Sequence, residues 1–311
     1  MADTWAFLVP VAKFPEKPLR SGQSVSQSVQ TPRSGNSDKF RGFLTQRILG
    51  RLQMTSSVAL VTGAGSGIGK AAALALAKEG YKVGALGHTE DEISSTVDAI
   101  LKAGGEGLAL HADISDERQM DGAVRQLVSE FGGLHVVVAN AGINGVWAPI
   151  DDLQLSEWNK TISVNLTGTF LTLRATVPEL KRSGGGSVVV VSSINGTRTF
   201  TTPGATAYTA TKAAQVAMVQ QLALELARHH IRINAVCPGE IESSISANTS
   251  LRKEEETAIP VVWPEGQVPI TGGRPGCSEA VADTIVFLAS EKSRHITGSP
   301  IWVDGGQGLL R

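Results

Sequence analysis

A short apolar strand, Val58-Ala-Leu-Val61, runs into Thr62-Gly63-Ala64-Gly65-Ser66-Gly67-Ile68-Gly69 and on into an Ala/Leu-rich helix over Ile68 to Glu79. Few folds accommodate such a junction. Glycines let the chain turn tightly, and the first N–H groups of the helix are left pointing at the turn with the positive end of the helix dipole behind them. A turn of this kind between strand and helix is a place for a phosphate, so Gly63, Ser66, Gly67, Ile68 and Gly69 become candidate dinucleotide-binding residues.

The rest of the chain repeats the same alternation. Strands are predicted over 82–86, 107–111, 135–139, 187–191, 231–236 and 301–303, and helices over 90–103, 116–131, within 155–181, over 207–229 and over 279–289. Ser187 to Val191 is a continuous β-branched run of the kind buried on both faces. Right-handed crossovers then dictate an α/β, Rossmann-type doubly wound parallel sheet of about seven strands with helices on both faces, filling residues 54–311 as a single domain.

Residues 1–53 differ in composition. They hold eight Lys/Arg against three acids, a charge of +5, which leaves −6 for the remainder of a chain with a net charge of −1. Ser21 to Asp38 is rich in Ser, Gln, Gly and Pro without apolar periodicity, so a disordered extension is expected. A Ser/Arg-rich transit segment and a stretch outside the working protein, which would then begin near Met54, are the other readings. The overall balance gives no electrostatic case for nucleic acid. No run of about 18 apolar residues predicts a transmembrane helix. Two cysteines, Cys237 and Cys277, suggest neither a disulfide framework nor a zinc site and suit a reducing, cytoplasmic location, or an organelle if residues 1–53 direct import.

The end of the second strand bears on cofactor choice. An acid there would bind the 2′-hydroxyl of NAD. Gly87-His88-Thr89 stands in its place. No carboxylate repels a 2′-phosphate, and His88 and Thr89 can donate to one, although Glu90 and Asp91 oppose it and no arginine is offered. On balance NADP is expected over NAD. Asp113, after the third strand, reads equally as an acceptor for the adenine amino group and as an N-terminal helix cap. Asn140-Ala141-Gly142 ends the fourth strand at the same sheet edge, with Asn140 expected to brace backbone and the small residues to leave room for the cofactor.

Ser193 ends the fifth strand, and Tyr208 and Lys212 lie one turn apart on the helix that follows. Reduction of a carbonyl leaves an alkoxide that needs a proton. A phenol is a poor acid/base at neutral pH unless its anion is stabilised, and an ammonium on the same helix face can do this. Ser193 can hydrogen-bond the substrate oxygen.

Together these segments resemble the short-chain dehydrogenase/reductase family. The matching stretches are Thr62–Gly69, Asp113, Asn140-Ala-Gly142, Val164-Asn165-Leu166, Ser192-Ser193, Tyr208-x-x-x-Lys212, Pro238-Gly239 and Val303-Asp304-Gly305-Gly306, covering about residues 56–311. The resemblance implies Tyr208 as general acid/base, Lys212 as ligand of the nicotinamide ribose that lowers the tyrosine pKa, Ser193 as the group orienting the carbonyl, and Asn165 as holder of a water linking Lys212 to solvent. It places Ile68 and Ile241 on either side of the pyrophosphate and nicotinamide, adds Pro238 and Gly239 to the cofactor-binding residues, and sets Ser243, where the family often has Thr, near the carboxamide. It also implies a homotetramer or homodimer.

The expected reaction interconverts a secondary alcohol and a ketone or β-keto group on a small-molecule substrate, either a 3-oxoacyl thioester or a sugar or polyol. A non-catalytic dinucleotide sensor and a sugar-nucleotide epimerase are the rival readings. Residues 239–275 form a loop expected to cover the substrate, with Trp263 as a lid or anchor and 251–256 as a solvated helical turn. Asn144, Trp147, Asn195 and Arg198 are expected to border the pocket, with Arg198 read as a partner for an anionic substrate or, in preference, as a surface charge.

Overall fold

A computed structural model describes residues 57–242, 249–258 and 268–310. The disordered extension expected over 1–53, Ser243, Trp263 and parts of the 239–275 loop lie outside the described residues.

Seven parallel strands form the sheet: β1 (Val58–Thr62), β2 (Lys82–Gly87), β3 (Glu106–His111), β4 (Val136–Ala139), β6 (Gly186–Val191), β7 (Ile231–Pro238) and β9 (Pro300–Val303). Their spatial order is β3-β2-β1-β4-β6-β7-β9. The order reverses between β1 and β4, which pair through Ala59↔Val136 to Val61↔Val138. That switch point opens a crevice at the carboxyl edge, the place where open α/β sheets hold ligands.

Side-chain alternation along β1 shows why both faces must be covered. Val58 and Leu60 enter one core with Met120, Leu127, Leu180 and Val219. Ala59 and Val61 enter the other with Ala72, Leu76, Ile100 and Ile285. The first core is roofed by α3 (Glu117–Phe131), α5 (Gly168–Arg182) and α6 (Thr206–Ala227), the second by α1 (Gly67–Lys78), α2 (Glu90–Lys102) and α8 (Ser278–Ala289). Leu60, Leu76 and Leu127 are fully buried, and each contributes about 1.5–3 kcal/mol of burial free energy.

Two features depart from the sequence reading. The helix expected within 155–181 is α4 (Leu155–Ile162) and α5 joined by a π-helical turn, Ser163–Thr167, centred on Asn165. And a small parallel pair, β5 (Gly145–Trp147) with β8 (Thr249–Leu251), sits outside the main sheet. Leu251 is therefore strand rather than part of a solvated turn, and the helical turn is α7 (Glu254–Thr257). Three residues per strand carry too little pattern to be recognised as strand from sequence.

Candidate active site

One cavity of about 900 Å³ runs along the carboxyl edge, and it is lined by residues from both sides of the switch point. Gly63, Gly65, Ser66, Gly67 and Ile68 line one end together with Gly87, His88, Thr89 and Asp113. Ser193, Tyr208 and Lys212 line the other, with Pro238, Gly239 and Ile241 between. Of the other expected cofactor residues, Asn140 and Gly142 line it too.

The glycine turn is a cradle that side chains would fill. Gly63 and Gly67 have φ of 65° and 51°, a left-handed region that costs other residues roughly 1–2 kcal/mol. A Cβ at Gly69 would stand 2.0 Å from the Gly63 carbonyl oxygen and 2.5 Å from Asn140 Nδ2. Replacing Gly69 by Ala is therefore expected to push α1 off the turn, to destabilise the fold by about 1–3 kcal/mol and to abolish dinucleotide binding. Calorimetry and a fluorescence titration with NADH and NADPH check this, and unchanged affinity would remove the cradle argument.

Asn140 braces this turn as expected. Its Nδ2 donates to the Thr62 carbonyl at 3.0 Å and the Gly63 carbonyl at 3.3 Å. Thr62 Oγ1 accepts from the backbone N–H of Asn140 and of Ala141. The bonds tie β1 to β4 across the crevice. Asp113 is not the helix cap: Asp116 accepts from the N–H groups of Arg118 and Gln119 in that role. Asp113 Oδ1 instead accepts from Ser115 N and Oγ at 2.8 and 2.7 Å. Partial burial pushes the Asp113 carboxyl up, but those bonds and the nearby Lys160 and His88 outweigh it and hold the group below its ordinary value.

At the other end Ser193, Tyr208 and Lys212 are all buried. Burial pushes the Tyr208 phenol above its ordinary value, and a side-chain hydrogen bond with Ser193 pulls the other way. Lys212 is pushed down to about 8, first by burial. Its Nζ donates to the Val191 carbonyl at 2.9 Å and lies 5.5 Å from the centroid of the Tyr208 ring. Burial, opposed by the Ser193 hydrogen bond, sets the direction of the Tyr208 shift, and Lys212 is not among the groups that set it. Cys237, also buried, has its thiol pushed up to about 11 by burial, so it stays protonated beside Lys212.

Asn165 is fully buried. Its carboxamide clamps Ile143, accepting from the N–H at 2.8 Å and donating to the C=O at 2.8 Å. The π-turn frees its own carbonyl, which accepts from Thr169 Oγ1 and Gln215 Nε2. A Cβ at Gly142 would lie 3.2 Å from Asn165 Oδ1 and 3.7 Å from Lys212 Nζ. The side chain reads as a mid-helix polar residue only while the π-turn is unseen.

Trp147 stands beside Tyr208, ring centroids 6.3 Å apart, and its Nε1 donates to the Asn144 carbonyl. Asn144, Trp147 and Asn195 line the cavity as expected, joined by Thr199, Thr201, Thr202, Glu240 and Glu254. Arg198 does not line it. It stacks 3.8 Å over Trp302 and pairs with Asp304 at 3.7 Å, so the charge sits half-buried against β9 rather than facing the cavity. Arg252 was also missed. It follows β8 and is held by Glu157 at 2.8 and 3.0 Å and by Asp152. No local signal marks it, because its partners lie about a hundred residues upstream.

Comparison with known proteins decides the family. Residues 63–307 match a family model described as enoyl-(acyl carrier protein) reductase. The chain belongs to the short-chain dehydrogenase/reductase family. It is 35% identical to the 2,5-dichloro-2,5-cyclohexadiene-1,4-diol dehydrogenase of Sphingobium indicum, over 82% of this chain and 97% of that one. A crystal structure of a 3-ketoacyl-ACP reductase from Sinorhizobium meliloti superposes with a TM-score of 0.79 at 70% identity, covering 82% of this chain and all of that one (100%). The 3-ketoacyl-(acyl-carrier-protein) reductase of Brucella melitensis, solved with NADH, follows at 0.72 and 30%, covering 82% and 100%. This short-chain dehydrogenase/reductase is an NAD(P)-dependent oxidoreductase of alcohols and ketones. Its glycine cradle, braced by Asn140 and opening on the N-terminus of α1, suits a dinucleotide pyrophosphate. Among the described residues no helix is long and apolar enough to cross a membrane.

Proposed function

We propose that the protein reversibly reduces a β-keto group to the secondary alcohol, with Tyr208 as the general acid/base. The observation that carries this is one cavity reaching from the glycine turn to Ser193, Tyr208 and Lys212. The nicotinamide supplies the hydride when bound. Ser193 Oγ and the Tyr208 hydroxyl hold the carbonyl oxygen. Because burial keeps the phenol neutral, Tyr208 carries the proton that the developing alkoxide takes up. Lys212, with its ammonium fixed on Val191, holds the nicotinamide ribose and steadies the tyrosinate left behind. Asn165 serves as a positioning residue whose carboxamide clamps Ile143 beside Lys212. Ile68, Pro238, Gly239 and Ile241, which line the same cavity, flank the pyrophosphate and nicotinamide.

The 3-oxoacyl thioester is the first substrate class, from the likeness to the Sinorhizobium reductase. A sugar or polyol is the second, favoured by the polar lining of Asn144, Asn195, Thr199, Thr201 and Thr202. Strand end Gly87-His88-Thr89 sets no carboxylate against a 2′-phosphate, which taken alone favours NADP. Helices α5 and α6 expose Phe170 and Leu224, apolar groups suited to packing against further copies in a dimer or tetramer. A reducing compartment such as the cytoplasm suits free Cys237 and Cys277.

Loss of reduced-nicotinamide absorbance with β-keto thioesters, sugars and simple ketones tests the reading. Turnover on β-keto thioesters alone supports it, and turnover on sugars alone replaces the substrate class. Tight dinucleotide binding without turnover on any of them would favour the sensor.

A further inference from the structure

The end of β2 has no room for an acid. A Cβ at Gly87 would stand 2.7 Å from Ile93 Cγ2, and Ile93 is buried in place. The next residue back along α2, Glu92, turns the other way, towards the glycine turn. A Cβ at Gly65 would lie 2.7 Å from both Glu92 Cβ and Glu92 Oε2. Gly65 is thus the residue whose missing side chain lets this carboxylate close over the turn. Glu92 lines the cavity beside Gly65, Ser66, Gly87, His88 and Thr89. Glu90 and Asp91, in the same helical turn, do not. The space between a glycine turn and the end of the second strand is where the adenosine ribose of a dinucleotide lies.

Little offsets that charge. Among the described residues no arginine lines the cavity, and its lysines are Lys160 and Lys212. Lys160 acts on Asp113, and Lys212 belongs to the catalytic end.

We infer that Glu92 sets the cofactor choice, its carboxylate accepting a hydrogen bond from the ribose 2′-hydroxyl and repelling a 2′-phosphate, so that the protein uses NAD(H). This rests on the dinucleotide reading of the cavity. It turns round the preference for NADP drawn from Gly87-His88-Thr89: the carboxylate is present, supplied by the helix rather than by the strand end.

The test titrates the full chain with NADH and with NADPH by nucleotide fluorescence, without substrate, and repeats this for Glu92→Gln and Glu90→Gln. The native protein is expected to bind NADH at least about ten-fold more tightly. Glu92→Gln narrows the ratio by about ten-fold, chiefly through tighter NADPH binding. Glu90→Gln removes an equal charge from the same exposed turn and leaves the ratio as it was. Tighter NADPH binding by the native chain overturns the inference, as does an equal change in the two variants. Failure to bind either dinucleotide overturns it together with the reading of the cavity. An NADH preference that depends on Glu92 without turnover on any substrate upholds it and sinks only the catalytic reading.

Discussion

Replacing Tyr208 by Phe is expected to cut turnover by about 10²–10⁴-fold, the usual worth of a positioned general acid/base, while dinucleotide affinity stays at the native value. The phenol is the group placed to exchange a proton with a substrate oxygen held by Ser193, and Phe keeps the ring's packing 6.3 Å from Trp147. Ser193 loses one partner but still accepts from the Asn195 N–H at 3.1 Å, so the stability change should stay within about 1 kcal/mol. Steady-state rates, a dinucleotide titration and a melting curve on the same sample separate these outcomes. A Phe variant that turns over at the native rate would show that the proton travels by another route. Since burial holds the phenol above its ordinary value, the oxidative reaction of the native protein should gain rate as the pH is raised into the alkaline range.

Lys212→Met should give opposite changes in activity and stability. Turnover falls by about 10²-fold or more, because the ribose ligand and the charge beside Tyr208 both disappear. Stability at pH 7 rises. The ammonium is pushed from its ordinary 10.5 to about 8 by burial, and each unit of such a shift costs the folded state about 1.4 kcal/mol. The penalty is therefore about 3 kcal/mol, less about 1 kcal/mol for the lost hydrogen bond to Val191. The sign follows from proton binding. Below pH 8 the lysine is charged in both states and the full penalty applies. Between pH 8 and 10.5 the unfolded chain binds more protons, so native stability rises with pH and the advantage of Met fades. Calorimetric melting from pH 6 to 10 reads this directly. A variant less stable than the native chain at pH 7 would mean that packing around Lys212 outweighs the desolvation of its charge. In the native protein the reductive rate should fall as pH rises through about 8, where the ammonium is lost.

Much of the fold can be read without coordinates. Val58–Thr62 and Ser187–Val191 announce buried strands because parallel strands covered on both faces need unbroken apolar runs. The helices after them are long runs rich in Ala and Leu, and the glycine turn marks where the crevice opens. Ser193, Tyr208 and Lys212, which line one end of the cavity, can be placed from sequence for the same reason: each sits at a fixed offset from a strand end or within one helical turn. The Arg198–Trp302–Asp304 packing and the Arg252–Glu157 pairing were not, since they join residues about a hundred positions apart through contacts that leave no local trace.

What the amino-acid order determined alone is therefore the periodic part: seven parallel strands, the helices between them, and the residues set at their ends. Tertiary structure decided the rest. The π-turn at Asn165, the cap at Asp116 instead of Asp113, the burial that raises Tyr208, and the approach of Glu92 to Gly65 each depend on how one element packs against another. Local pattern reports which face of an element is apolar. It does not report distances of 3 Å between faces, and hydrogen bonds, desolvation and charge repulsion act at that scale.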